Sequence, residues 1–184
     1  MPFTPFHVGP GLLIKPFIGR YFSLTVFILA QIIMDTEPLY YMLRGETFVH
    51  RFFHTYVGAT VVAGLTIVLA KPLGQQALRY WNQCFVLENE RRWFGVPIHI
   101  PWPAIVIGAL FGTYSHVFLD SFMHADMHPL APFSDDNPWL HGVTLGQLYG
   151  ACAVSGLLGL LAFFVVRHRQ LSKARRKMTR KRFD

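Results

Sequence analysis

Three stretches of the chain, Thr55 to Ala70, Pro103 to Leu119 and Val143 to Val166, are almost free of charge over the length of a membrane-crossing or nearly membrane-crossing helix. A helix needs roughly 20 apolar residues to cross a hydrocarbon core of about 30 Å, so runs of this kind constrain the fold more than any motif does. Composition agrees: of 184 residues, 52% are hydrophobic and 15% aromatic, a balance a soluble domain of this size would struggle to keep dispersed. The expected class is all-α, a polytopic integral membrane helix bundle of four to five apolar segments. Residues 1–166 form the membrane-embedded domain and 167–184 a basic tail.

The N-terminal third reads in two ways. Phe6 to Phe17 and Phe22 to Met34 are short apolar arms separated by Ile18-Gly19-Arg20-Tyr21 and could form a tight helical hairpin. Alternatively, only Phe22 to about Leu43 spans, and the first 21 residues lie at the interface. A signal peptide is not expected, because a basic region before the first apolar stretch and a small-residue cleavage site are both missing.

The formal net charge of +7 is concentrated at one end. Arg167, Arg169, Lys173, Arg175, Arg176, Lys177, Arg180, Lys181 and Arg182 account for nine of the 17 Lys and Arg. Directly after an apolar run, they read as a positive-inside anchor beside anionic lipid rather than as a nucleic-acid surface. With the C-terminus on the cytoplasmic side of a bacterial inner membrane, alternation puts Lys71 to Trp102 inside. The Arg44 to His54 connection and Asp120 to Gly142 then fall outside. The last segment has no Lys or Arg, four Asp and three His, which agrees with that side. Cys84 and Cys152 fall on different levels, so no disulfide is expected between them.

Ionisable residues at the edge of an apolar span are costly unless they face a polar cavity or bind something. Here they gather: Asp35 and Glu37 in D-T-E-P, His50 and His54 in H-R-F-F-H, and His116, Asp120 and His124 in S-H-V-F-L-D-S-F-M-H. If helix continues through each segment, His50 and His54 share one face, as do His116, Asp120 and His124. Imidazole with carboxylate is a ligand set for a divalent ion, zinc first, with a position left for water. The bland reading makes the same residues hydrogen-bonded packing between helices. His7 discriminates between the N-terminal readings. At 1.5 Å per residue from a turn at Arg20, His7 and Asp35 both stand about 20 Å up their arms, so the hairpin brings His7 to the level of the carboxylates.

These residues, in this order, resemble the YdjM-like family of LexA-regulated membrane-bound metal-dependent hydrolases. The family pattern is an early T-x-x-H, then D-x-D or D-x-E, H-R-x-x-T-H-S, and S-H-x-x-x-D before a polar loop. T-P-F-H ends at His7, D-T-E covers Asp35 and Glu37, H-R-F-F-H-T runs from His50 to Thr55, and S-H-V-F-L-D from Ser115 to Asp120. The resemblance extends from residue 4 to about 133. It departs at Glu37, where Asp is frequent, and at Phe53-His54-Thr55, which stands for T-H-S.

The resemblance implies a metal site on His7, Asp35, His50, His54, His116 and Asp120, to which the spacing alone adds His124. The implied chemistry is hydrolysis of an ester or phosphoester, of a lipid or another amphiphile, by metal-bound water. Asp120, Asp35 or Glu37 would serve as general base where not a ligand. G-x-S-x-G and H-E-x-x-H are both absent. A membrane oxidase with histidine boxes, or a non-enzymatic metal-binding or transport protein, are the other classes. The Pro-rich loop A-D-M-H-P-L-A-P-F-S-D-D-N-P is a second source of candidates, with Asp126 and, as a weaker ligand candidate, His128. There Asp135 and Asp136 read as a solvated turn. His99, His141 and His168 read as non-catalytic.

Overall fold

The structure is a computed structural model that describes residues 5–183. Residues 1–4 and 184, and the side chains of Pro5, Arg175 and residues 177–183, lie outside the described residues. They include Thr4 of T-P-F-H and five of the basic residues of the tail. All regular structure among the described residues is helical. Four helices are long and apolar enough to cross a membrane: Leu24–Leu43, Tyr56–Cys84, Trp102–Ser121 and Leu145–Ala174. The chain is a multi-pass membrane protein.

The first helix, α1 (Val8–Ile18), follows a single 3-10 turn at Pro5–His7. Its 11 residues give about 16 Å of rise, half of what a crossing requires. It turns at Gly19–Tyr21 and leads into α2 (Leu24–Leu43), so the hairpin forms. Gly19 sits at φ 59°, where a side chain would be strained. The Lys15 ammonium closes the turn by donating to the carbonyls of Gly19 (2.9 Å) and Phe22 (2.6 Å). Both N-terminal readings contribute, because the second arm continues to Leu43, two turns past Asp35.

Helix α3 (Tyr56–Leu69) starts where the Thr55 hydroxyl accepts from the Gly58 amide. At Ala70–Gly74 it widens into a π-turn that contains Pro72, which has no N–H to give, and it continues as α4 (Gln75–Cys84). After the single turn of α5 (Arg91–Phe94), the chain crosses again as α6 (Trp102–Ser121). The last helix, α7 (Leu145–Phe183), runs without a break through the basic residues. The tail is therefore an extension of the last span rather than a separate segment.

Two packing units result. In the first, α2, α3 and α6 join through Val26, Ala63, Ala104, Ile105 and Ala109, with Gly112 placed so that an added Cβ would lie 2.7 Å from Ala30 Cβ. In the second, α1 lies along α7 at backbone contact. A Cβ at Gly9 would meet the Cys152 carbonyl oxygen at 2.1 Å, and one at Gly159 would meet the Leu12 backbone at 2.4 Å. Small residues allow this approach in lipid, where dispersion and close backbone packing replace the hydrophobic drive. The hairpin links the two units, and His7, at the free end of α1, reaches the polar end of α6.

Candidate metal centre

Helix α6 supplies His116 and Asp120, four residues apart on one buried face. Helix α2 supplies Gln31 and Asp35 with the same spacing, both buried. The expected helical pairing of His50 with His54 does not form, because residues 44–55 are turn and coil and helix begins only at Tyr56. The two rings still meet, with centroids 4.8 Å apart, because side chains from elsewhere hold the loop. The Glu37 carboxylate accepts from the Arg51 amide, the Phe53 amide and His54 Nδ1, each at 3.0 Å. Asp126 accepts from the Val49 amide (3.0 Å), the His50 amide (3.1 Å) and His50 Nδ1 (2.9 Å). Helix α6 likewise ends at Ser121, so His124 is not a third helical position, yet its ring lies 4.0 Å from that of His50.

The proton positions decide what these rings can do. Gln31 donates its amide to the Gly112 carbonyl (3.0 Å), which turns its oxygen toward His116 Nδ1. Carboxylate and amide oxygens here accept, so His116, His54 and His50 each give the Nδ1 proton to an oxygen, which in the neutral ring leaves a lone pair on Nε2. His116 Nε2 lies 3.1 Å and His54 Nε2 3.7 Å from Asp120 Oδ2, and His7 Nε2 lies 3.3 Å from Asp120 Oδ1. All three nitrogens are buried and lack a hydrogen-bond partner. His116 Nε2 also lies 3.6 Å from Asp35 Oδ1.

Lone pairs of buried nitrogens and carboxylate oxygens aimed at one another are unfavourable unless a proton or a metal cation lies between them. Histidine that donates Nδ1–H to an oxygen and presents Nε2 is the arrangement found around protein-bound metals. Three trios have ligand atoms within 4.8 Å of one another: His7 with His116 and Asp120, Asp35 with His54 and His116, and His50 with Asp120 and His124. These buried groups could hold a metal ion. One Nε2 serves one ion at a time, so the trios that share His116 are alternatives. Asp120 has two oxygens and can serve two ions.

Electrostatics at the loop side favour the ligand-ready forms. Burial, with His50 nearby, takes the His124 imidazole down to about 4 against the pull of Asp120, so it is neutral at pH 7. Burial also lowers His54, against the pull of Glu37. At Asp126 burial acts to raise the carboxyl, but the hydrogen bonds from His50 and Val49 outweigh it and hold the group below the usual carboxylate range.

The structure thus brings together His7, Asp35, His50, His54, His116, Asp120 and His124. Glu37 is beside the trios with its oxygens committed to the His54 loop. His128 stands apart: its Nδ1 faces the Asp135 carbonyl at 2.6 Å and its ring stacks on Phe48. His99, His141 and His168 are exposed, and both cysteines are free. Two residues outside the expected ligand set take part, Asp126 of the Pro-rich loop and Gln31. Gln31 carried a signal, an amide one helical turn before Asp35 in an otherwise apolar run. Asp126 did not stand out from the other acids of its loop.

A family model described as a domain of unknown function (DUF4184) matches residues 1–184. The chain belongs to this family. No curated protein and no solved structure matches it. The family carries no activity with it, so the chemistry of the centre rests on the residues themselves.

Proposed function

We propose that the protein is a membrane-bound metal-dependent hydrolase that cleaves an ester or phosphoester of a lipid or other amphiphile. The observation that carries this reading is the convergence of three unpartnered imidazole nitrogens on the Asp120 carboxylate. His7, Asp35, His50, His54, His116, Asp120 and His124 would hold one or two divalent ions. Zinc suits this donor set best. A metal held there would supply a nucleophilic water at neutral pH and polarise the scissile group. The chain's part is to fix the imidazoles through Glu37, Asp126 and Gln31, and to keep a carboxylate oxygen of Asp35 or Asp120 within reach of a water proton. The ordered likeness to the YdjM-like hydrolases supports hydrolysis over the oxidase and carrier classes. The charge asymmetry supports an inner-membrane chain with a cytoplasmic C-terminus and the centre near the outer face.

The test uses detergent-purified full-length protein. Metal content is measured for wild type, His116→Ala and Asp120→Asn, and bis-p-nitrophenyl phosphate and phospholipid in mixed micelles are offered before and after chelation and zinc return. Metal-dependent turnover lost in both variants is expected. Stoichiometric metal in both variants, with folding intact, would overturn the site. Wild-type metal without turnover of either probe would overturn hydrolysis of these ester classes.

A further inference from the structure

At the end of the bundle opposite the metal centre, α5 docks on α7. The Trp93 ring stacks with His168 at 6.3 Å between centroids, and Trp93 and Phe94 each lie 6.4 Å from Phe164. The Trp81 indole donates to the Phe94 carbonyl (3.1 Å), and Asn82 exchanges two hydrogen bonds with the backbone of Val96, so the connection from α4 to α5 is fixed. Just beyond this junction, His168, Arg169, Ser172, Lys173 and Arg176 line a shallow hollow of about 200 Å³. Among the described residues no ion pair joins these side chains to an acid. Arg167, beside them, has a buried Nε with no hydrogen-bond partner.

Depth identifies the ligand. The apolar run of α7 ends at Val166, and the hollow begins two residues later, about 3 Å along the axis. Tyr80, Trp81, Phe85 and Leu87 are exposed at the same end, and the Lys71 ammonium lies over the Trp102 ring at 4.1 Å. Exposed aromatics with lysine mark the level where hydrocarbon meets headgroups. A basic hollow at that level, continuous with a lipid-facing span, is complementary to a lipid phosphate and misplaced for a soluble polyanion. We propose that it binds the phosphate of an anionic lipid headgroup, seated against the junction of α5 and α7.

The experiment is native mass spectrometry of the full-length protein in detergent, titrated with phosphatidylglycerol or phosphatidylcholine. Wild type should retain phosphatidylglycerol preferentially. The combined Arg169→Gln, Lys173→Gln and Arg176→Gln variant should lose that preference by roughly 100-fold, as three charges near the phosphate are removed. The charge-preserving Arg169→Lys, Lys173→Arg and Arg176→Lys variant should keep most of it and reports on folding. Equal retention of the two lipids by wild type would overturn the proposal. So would an undiminished preference in the glutamine variant. Displacement of phosphatidylglycerol by low-millimolar inorganic phosphate would make the hollow a receptor for free phosphate and overturn the lipid assignment.

Discussion

Gly9→Ala should weaken metal binding although it alters no ligand. An added Cβ would lie 2.1 Å from the Cys152 carbonyl oxygen and 2.8 Å from Ser155 Oγ, whereas ordinary contact begins at 3.4 Å. The backbone oxygen belongs to α7 and cannot swing aside, so α1 must retreat by about 1.3 Å, the difference between 3.4 and 2.1. His7 is two residues away on the same turn and retreats with it from Asp120, now at 3.3 Å. Metal-ligand distances tolerate about 0.2 Å, so the shift is several times what coordination allows. Zinc affinity, measured by competition with a chelator of known strength, should fall by roughly 10- to 100-fold. The melting midpoint in detergent should drop by the equivalent of about 1–3 kcal/mol for overpacking. Gly64→Ala in α3 is the control, since a Cβ there meets nothing within 4 Å. A Gly9→Ala protein that matches Gly64→Ala in affinity and melting would refute both the backbone contact and the place of His7 in the centre.

Lys15→Met removes the ammonium whose two hydrogen bonds close the hairpin turn, and thermal melting in detergent should show a loss of about 1–3 kcal/mol with the C-terminal half of the chain still helical. Glu37→Gln should lower zinc affinity by at least roughly tenfold. Both oxygens of Glu37 accept from N–H groups, so the amide must turn a donor toward one of them. Unchanged affinity by the same chelator competition would remove Glu37 from its positioning role. In a Cys84→Ser background, a cysteine at Ser134 should react with an impermeant maleimide on intact cells. A cysteine at Gln83 should react only after lysis, and the opposite pattern would invert the proposed orientation.

The spans were legible because apolar run length is a one-dimensional property, and the level of His7 followed from counting rise along two arms. The pairing of His50 with His54 was legible only as proximity. Spacing by four suggested a helix, but the Glu37 and Asp126 carboxylates offer the backbone amides of Val49, His50, Arg51 and Phe53 partners outside a helix. Those partners lie 14 to 77 residues away, beyond what local periodicity can report. The same distance hid the partner of Asp126, whose role exists only once α6 has delivered its loop to His50. The arm read as Phe22 to Met34 continues as helix through Pro38 to Leu43, and Glu37 extends from that continuation to the loop.

The contact of α1 with α7 also sets an order for biogenesis. A helix made early that rests on a helix made late lacks that contact during most of translation, so the emerging N-terminal hairpin has its α1–α2 packing but not the α7 seat until then. The ring of His7 cannot be pinned beside Asp120 until residues 145 onward have been inserted. Nascent chains and C-terminal truncations would hold at most a partial ligand set, and full loading would coincide with completion of the bundle. The ion would then act as a lock on a finished molecule and not as a seed for its folding.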